Sequence, residues 1–190
     1  MVTIGLDEVG RGCWAGPLLA AAAVLPNDYL SSVDLPKLRD SKKLSKLQRQ
    51  KADRWLRQHL VAFGIGWVWP QEIDEFGLTE SVRLAFTRAL ESIAIEYDEL
   101  ILDGNINYFR DNPRSRAVIK ADDIVPCVSA ASIIAKVTRD AYMAELDGSY
   151  SPYGFDKHVG YGTAAHVEAL RKYGVSDMHR LSYKPVQAFL

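Results

Sequence analysis

Carboxylate side chains follow three of the strands that the sequence pattern predicts. They are Asp7 and Glu8 after the first strand, Asp103 after the fourth, and Asp122 with Asp123 after the fifth. Because the functional crevice of an α/β sheet lies outside its strand ends, carboxylates from separate strands can converge there. Such a cluster repels itself unless a cation lies within it, and hard oxygen ligands favour Mg²⁺ or Mn²⁺ over Zn²⁺. The pattern therefore predicts a divalent-metal site suited to phosphodiester hydrolysis, in which two ions activate water and stabilise the leaving oxygen.

The first carboxylate pair is followed at once by a glycine loop, Gly10-Arg11-Gly12. A single acidic residue at a strand end is usually a cap or a turn residue, but an adjacent pair that enters such a loop is harder to explain by local structure. Glycine permits positive φ and a close backbone approach to a ligand, and the arginine offers a fork of donors to phosphate. The spacing matches neither a Walker motif nor a dinucleotide fingerprint. The loop is interpreted either as a tight turn or as a phosphate contact.

The elements that must position these residues are predicted from hydrophobic periodicity. Strands are expected at residues 2–6, 18–25, 61–69, 99–102 and 117–119. Helices are expected from Ser45 to about Leu60, with Leu47 facing inward, over residues 79–95, from Ser129 onward, and over residues 164–173. Strands followed by alternating strands and helices are typical of an α/β fold with a mixed β-sheet flanked by helices. The four tryptophans are expected in the core, although Trp14 could instead contact substrate.

Charge is segregated along a chain whose formal net charge is only -1. The segment from Lys37 to Arg57 holds nine Lys or Arg against Asp40 and Asp53, a local balance of +7. Such a segment is either a solvated helix face or a surface that follows a phosphate backbone. Within it, Lys42 and Lys43 could bind phosphate or lie in a solvated loop.

Several kinds of site and location are disfavoured by the sequence. The two cysteines lack CxxC spacing and the four histidines form no HxxxH pair, so a structural zinc site is not expected and both cysteines are predicted to be free thiols. His166 and His179 are expected to pack or to form hydrogen bonds, and Lys136 with Asp140 to form a helix ion pair. The longest apolar stretch is too short to cross a bilayer and no signal-peptide pattern is seen, so a cytoplasmic enzyme is expected.

Five motifs, in order along nearly the whole chain, resemble those of type 2 ribonucleases H, specifically bacterial-type ribonuclease HII. They are LDEVGRG at 6–12 continuing to AGP at 15–17, DSKKLS at 40–45, LDGN at 102–105, KAD at 120–122 with AASIIAKVTRD at 130–140, and GYGT at 160–163 with His166 and His179-Arg180. Two departures from the family pattern are Cys13-Trp14 beside the glycine loop and Ala121 where glycine is common. Five ordered motifs make coincidence very improbable.

The resemblance assigns roles to particular residues. It implies that the catalytic, metal-binding carboxylates are Asp7, Glu8, Asp103 and Asp122. It implies that the backbone of Gly10, Arg11 and Gly12 reads the 2′-hydroxyl of a ribonucleotide, the group that separates RNA from DNA. Lys42 and Lys43 would lie in the family's basic motif, and Tyr161 would pack against the sugar on the DNA side of an RNA-DNA junction.

The resemblance also implies an activity and an architecture. Family members hydrolyse the RNA strand of RNA/DNA hybrids and cut 5′ of single ribonucleotides in duplex DNA with two Mg²⁺ or Mn²⁺ ions, leaving 3′-hydroxyl and 5′-phosphate ends. The expected architecture is one ribonuclease H-like domain over residues 1–190, in which residues 149–190 form a small helical, substrate-contacting extension. A monomer without membrane contact is expected, and a sliding-clamp contact is left open. The alternatives are a DNA-directed nuclease of similar fold and a non-catalytic hybrid-binding module.

Overall fold

A five-stranded mixed sheet with the strand order β3-β2-β1-β4-β5 forms the centre of the fold. The computed structural model describes residues 1–31, 36, 38 and 41–190. The strands are β1 (Thr3–Val9), β2 (Leu18–Val24), β3 (Ala62–Val68), β4 (Glu99–Asp103) and β5 (Ser115–Val118). The helices are α1 (Lys46–His59), α2 (Pro70–Glu91), α3 (Ala121–Ile124), α4 (Pro126–Leu146), α5 (Phe155–His158), α6 (Ala164–Tyr173) and α7 (Lys184–Gln187). The predicted α/β class with a mixed, helix-flanked sheet is confirmed.

Strand β1 lies in the middle of the sheet, antiparallel to β2 and parallel to β4. Its neighbour β2 is entirely Leu, Ala and Val and is buried at every position, as a strand covered on both faces must be. In the β1–β4 register Leu6 pairs with Leu102, so the next residues, Asp7 and Asp103, lie side by side where β4 ends. The prediction that Asp7 and Glu8 follow the first strand is wrong, because β1 continues to Val9 and both residues pair with β2. The sheet topology therefore brings two of the predicted carboxylates to one edge.

Helices cover both faces of the sheet. Helix α2 packs on one face, where Phe86 is fully buried against Leu6 and Leu102, and each such side chain contributes roughly 1.5–3 kcal/mol. Helices α1 and α4 cover the other face. Helix α4 approaches β1 so closely that a Cβ on Gly5 would lie 2.3 Å from the backbone of Cys127. Because side chains alternate along a strand, Asp7 shares the face of Gly5 and points toward α4.

Helix α1 begins where the sequence predicts, at the N-cap Ser45. The Ser45 hydroxyl accepts a hydrogen bond from Gln48 N–H and the Gln48 side chain accepts one from Ser45 N–H, which completes a capping box. The predicted inward orientation of Leu47 is wrong, because its side chain is 60% exposed. Ala52 and Leu56 fill the core instead. Asp40 and Lys37, which belong to the predicted basic segment, lie outside the described residues.

Helix α2 starts at Pro70, well before the predicted start at Thr79. Gly77, with φ 75° and ψ 164°, interrupts the helical geometry, so regular apolar periodicity is evident only after it. Trp69, which precedes the helix, was predicted to be in the core, but it is 39% exposed and stacks on Trp67. The predicted core position of Trp69 is therefore wrong: its indole is covered in part by the Trp67 ring and not by the core.

Asp122 does not sit at a strand end as predicted, but on the short helix α3. Lys120 precedes that helix in a left-handed conformation, with φ 58°, and this turns the chain after β5. Helix α4 then begins at Pro126 rather than at Ser129, since proline is well suited to a first helical turn. The correction moves Asp122 off the sheet, yet leaves it beside the sheet edge.

Residues 149–190 pack against the rest of the chain through a separate apolar cluster. Phe155 and Leu170 from this segment contact Ala15 and Met143. The predicted helix over residues 164–173 is confirmed as α6, and the Thr163 hydroxyl accepts a hydrogen bond from His166 N–H at its start. Among the helices in the described ranges, none has the length and apolarity that crossing a membrane requires.

Candidate active site

Three of the predicted carboxylates meet at the edge formed by the ends of β1 and β4. Asp7 and Asp103 extend from neighbouring parallel strands, and the backbone N–H of Asp122 donates to Asp103 Oδ1 at 3.3 Å. The Ser129 hydroxyl on α4 donates to the carbonyl oxygen of Asp122 at 2.7 Å, which fixes the short helix against α4. Asp7 and Asp122 are each only 7% exposed.

The electrostatics of this edge disfavour charge on its carboxylates. Burial raises the pKa of Asp7 well above its ordinary value, and the charges of Glu8 and Asp103 raise it further. Hydrogen bonds from Ser132 and from Glu8 N–H, the latter 2.7 Å from Asp7 Oδ1, act in the opposite direction without cancelling the increase. Burial likewise raises the pKa of Glu8. The site thus holds like charges that the surrounding groups do not neutralise.

Glu8 is turned toward the glycine loop rather than toward its neighbour. Its Oε1 lies 3.2 Å from Nη1 of Arg11, and only 12% of the Glu8 side chain is exposed. In the part of the chain that the structure describes, no three His, Cys, Asp or Glu side chains converge closely enough to hold an ion as they stand. The carboxylates are therefore gathered at one edge, with Glu8 engaged by Arg11.

The turn Ser41–Lys43, within the basic segment, packs beside Asp7. Ser132 Oγ on α4 lies 3.0 Å from Ser41 Oγ, within hydrogen-bond distance, and the Ser132 hydroxyl donates to Asp7. Lys43 Nζ lies 2.6 Å from Asp123 Oδ2. Periodicity alone did not indicate this proximity, because Ser41 and Ser132 are 91 residues apart in sequence.

The glycine loop adopts a conformation that a side chain at Gly10 would not tolerate. Gly10 has φ 93°, and a Cβ there would lie 2.5 Å from Nε of Arg139. The Arg11 carbonyl accepts hydrogen bonds from Arg180 Nη1 at 3.1 Å and from the Tyr183 hydroxyl at 2.6 Å. The C-terminal segment thus fixes the orientation of the loop backbone that follows Asp7 and Glu8.

Two fully buried arginines, Arg139 and Arg180, hold this loop, and neither was predicted as a site residue. Arg139 donates to the carbonyls of Pro17 at 2.8 Å, Val159 at 2.9 Å and Ala15 at 3.2 Å. Arg180 donates to the Gly16 carbonyl through Nε at 3.1 Å and Nη2 at 2.9 Å. The only signal in the sequence was the presence of both arginines within motifs that resemble the family's.

Tyr161 lies beside the glycine loop with 43% of its surface exposed. Burial raises the pKa of its phenol, as does the neighbouring thiol of Cys13, with which the phenol also hydrogen-bonds. Gly12 lies close by, since a Cβ on it would be 3.9 Å from Tyr161 Cε1. Of the two interpretations of Trp14, the structure supports packing, because its indole lies against Gly162. Both cysteines are free, as predicted, and both are buried.

Two buried, hydrogen-bonded histidines, His166 and His179, connect the loop that carries Tyr161 (residues 159–163, the Tyr161 loop) to the C-terminal segment. His166 Nδ1 lies 3.0 Å from the Tyr161 carbonyl, so it must donate there, which leaves Nε2 as an acceptor. His179 Nδ1 accepts from Ser176 N–H at 2.9 Å, so its Nε2 carries the proton and donates to His166 Nε2 at 3.0 Å. Both rings are neutral with one defined tautomer. The prediction that these histidines pack and hydrogen-bond is confirmed.

This arrangement predicts that acid weakens the contribution of the two histidines to stability. Burial lowers the pKa of His166 to about 4, and burial together with the adjacent His166 lowers that of His179 to about 4. Between the unfolded pKa near 6.5 and the folded pKa, the unfolded chain binds more protons, so stability is lost as the pH falls through this window. From pH 6.5 to 5 we expect the stability that the two histidines contribute to fall by about 1–3 kcal/mol, measured by chemical denaturation of wild type beside a variant that lacks one of the rings.

The control for this prediction removes one titrating ring at a time. His166→Asn should flatten the pH dependence, whereas His59→Asn, at an exposed position, should retain the wild-type slope. A slope for His166→Asn between pH 6.5 and 5 that equals the wild-type slope would contradict the buried neutral histidine pair.

Comparison with known proteins shows the family and the fold of the chain. The family model for ribonuclease HII matches residues 4–186. The ribonuclease HII of Dichelobacter nodosus is 42% identical over 186 residues, covering 98% of this chain and 96% of that protein. The crystal structure of ribonuclease H2 from Pyrococcus horikoshii has a TM-score of 0.84 and 29% identity, covering 100% of this chain and 97% of that one.

A more distant structure shares the fold alone. Bst-RNase HIII in complex with Mn²⁺ has a TM-score of 0.77 and 19% identity, and covers 100% of this chain and 69% of that one. The predicted ribonuclease H-like fold is thus confirmed by solved structures. With a family match over nearly its whole length, the chain belongs to the ribonuclease HII family and is an endoribonuclease.

Proposed function

We propose that this protein hydrolyses the RNA strand of RNA/DNA hybrids and cuts 5′ of single ribonucleotides embedded in duplex DNA, leaving 3′-hydroxyl and 5′-phosphate ends. The observation that supports this most is the buried Asp7, with its raised pKa, beside Asp103 and three residues before Gly10. A phosphodiester placed against the carboxylates would therefore bring its sugar close to the loop. Cleavage and recognition of ribose would occur within one short segment.

We further propose that Asp7, Glu8, Asp103 and Asp122 hold two Mg²⁺ or Mn²⁺ ions. The donor set fits, because it is all carboxylate oxygen and because burial and the neighbouring Glu8 and Asp103 raise the pKa of Asp7, a charge cost that a cation would offset. When bound, such ions would supply the charge that activates water and stabilises the leaving 3′ oxygen. Glu8 would have to exchange its bond with Arg11 for the ion, which would free the Arg11 guanidinium for a phosphate.

Substrate recognition is assigned to the loops around this edge. The backbone of Gly10, Arg11 and Gly12 would contact the 2′-hydroxyl, and Tyr161 would pack on the sugar at the DNA side of a junction. Lys42 and Lys43 would contact phosphate, since Ser41 in the same turn is held next to Asp7 through Ser132. On this assignment residues 149–190 are a substrate-contacting extension of one catalytic domain, and a single chain carries a complete site.

One panel of substrates tests the activity. A labelled duplex with one ribonucleotide, a long RNA/DNA hybrid and an all-DNA duplex are each incubated with Mg²⁺, Mn²⁺ or EDTA. We expect cuts in the first two duplexes with either metal and none with EDTA. Equal cutting of all-DNA duplex would instead indicate a DNA-directed nuclease, and binding without cutting in any metal would indicate a non-catalytic module.

Tyr161→Ala tests the junction contact. Packing of an aromatic ring against a nucleotide is worth roughly 1–3 kcal/mol, so cleavage at a single ribonucleotide should fall about tenfold to a hundredfold in kcat/KM. Cutting within a long hybrid, which has no junction at most phosphates, should fall less. The matched control is Tyr173→Ala, which removes a similarly exposed tyrosine at 49% on α6. Unchanged single-ribonucleotide cleavage by Tyr161→Ala would require a different junction contact.

A further inference from the structure

A groove of about 460 Å³ runs along α4, away from the carboxylate edge. Helix α1 forms one wall and α5 the other. We call it the α4 groove, and the charged residues that line it are Lys46, Arg49, Lys136, Asp140, Asp156 and Lys157. Four cations against two carboxylates give these residues a net positive charge of 2.

The α4 groove begins where the candidate active site ends. Ser132, which hydrogen-bonds Asp7, lies one helical turn before Lys136 on the same face of α4. On the α5 side the groove is lined by Val159, two residues before Tyr161. From Ser132 to Ala144 the helix rises about 18 Å, the axial length of roughly five nucleotide steps in a duplex strand. The groove is thus continuous with the site and as long as a short flank of substrate.

The wall formed by α1 is fixed relative to the substrate-contacting turn. Nη1 of Arg49 donates to the carbonyl of Ser41 at 2.9 Å and to that of Leu44 at 2.6 Å. This arginine therefore connects the groove wall to the turn that carries Lys42 and Lys43. Lys46 and Lys157 are exposed on opposite walls, where they could face the two sides of a single backbone strand.

We propose that the α4 groove binds the phosphate backbone of one substrate strand over about five nucleotides that flank the cleavage site. This inference rests on the proposed function, because the strand must be continuous with the one held at Asp7. Lys46 and Lys157 each contact a phosphate, and Arg49 adds charge while it shapes the wall. Asp140, whose Oδ1 lies 2.8 Å from Lys136 Nζ, moderates the attraction by pairing with that lysine.

The test compares two double variants that remove the same charge. Lys46→Ala/Lys157→Ala should raise Kd and KM several-fold on a duplex with one ribonucleotide, with kcat unchanged. Each phosphate contact contributes about 0.9 to the slope of log K against log salt, so between 50 and 200 mM salt the variant should lose roughly twelvefold less affinity than wild type. Lys51→Ala/Arg54→Ala, on the exposed side of α1 outside the groove, is the control and should behave like wild type.

Two further measurements locate the contact. Two duplexes are compared, each shortened to two base pairs on one side of the ribonucleotide. On the duplex that lacks the flank bound by the groove, the groove variant and wild type should have equal KM. On the other duplex the groove variant should have the higher KM. Asp140→Asn should change affinity in the opposite direction, lowering Kd, since it releases Lys136. If the groove variant and the outer control have the same salt slope in an enzyme that cleaves normally, the inference is wrong. If wild type cleaves no substrate, the proposed function itself fails.

Discussion

Asp7→Asn is expected to abolish cleavage while making the folded protein more stable. Ions held at this edge would supply several kcal/mol of transition-state stabilisation, and every 1.36 kcal/mol is a factor of ten, so the rate should fall by roughly a thousandfold or more. Stability should rise because burial and the neighbouring Glu8 raise the pKa of Asp7, so its charge disfavours folding at neutral pH. Asparagine keeps the shape and removes the charge.

The stability gain has a defined pH dependence. Because the folded-state pKa of Asp7 is raised, the charge costs nothing well below the unfolded pKa near 3.9 and disfavours folding increasingly as the pH rises above it. The difference in Tm between Asp7→Asn and wild type should therefore be larger at pH 8 than at pH 4. A gain of about 1 kcal/mol would appear as roughly 2–4 °C in a protein of this size.

Asp53→Asn is the matched control, since Asp53 is also 7% exposed. Its two carboxylate oxygens each lie 3.0 Å from Arg57 Nε, so the charge is compensated and its removal should lower Tm. Cleavage by this control should stay near wild type. A lower Tm for Asp7→Asn, like that of the control, would show that the Asp7 charge is compensated in the fold.

Arg139→Met is expected to cause the largest loss of stability. The substitution preserves much of the apolar volume but leaves three buried carbonyls, of Ala15, Pro17 and Val159, without their shared donor. Leaving a buried carbonyl unsatisfied costs about 1–3 kcal/mol, so three of them should cost roughly 3 kcal/mol or more, which corresponds to a Tm at least about 6 °C lower. Cleavage at a single ribonucleotide should fall as well, because Val159, two residues before Tyr161, would lose the side chain that joins it to Ala15 and Pro17, just after the glycine loop.

The comparison for this variant is Arg171→Met, at an arginine whose side chain is 67% exposed and paired with Glu168 at 3.6 Å. A surface pair of this kind contributes about 0–1 kcal/mol, so its Tm should change by no more than a few degrees. Thermal unfolding and single-ribonucleotide cleavage are measured for both variants. Equal Tm values would mean that Arg139 does not hold the two loops together.

The sequence predicted well those features that depend on one continuous segment. The start of α1 followed from Ser45 as its N-cap, and α6 from its apolar period. The proximity of Asp7 and Asp103 could also be expected, because neighbouring parallel strands end at the same edge. In each case a local pattern, or one general rule of sheet topology, was sufficient.

The features that were missed depend on contacts between distant segments. Arginine is rarely fully buried, so the sequence gives no reason to expect Arg139 in the interior. Its burial is tolerated because three backbone carbonyls accept its hydrogen bonds. The sequence predicts Asp122 at a strand end, because no sequence pattern indicates the four-residue helix that follows the left-handed Lys120. The neighbourhood of Ser41, Ser132 and Asp7 likewise arises only when α4 packs on the sheet.

Cleavage of a duplex with one ribonucleotide by Asp103→Asn, beside the wild-type enzyme, tests the central claim most directly. With Mg²⁺ or Mn²⁺, wild type should make a single cut 5′ of the ribonucleotide and leave a 3′-hydroxyl and a 5′-phosphate. Asp103→Asn should retain at most about a thousandth of that rate, while its circular dichroism spectrum stays that of the folded protein. Normal metal-dependent cleavage by Asp103→Asn would contradict the assignment of the active site to the edge formed by β1 and β4.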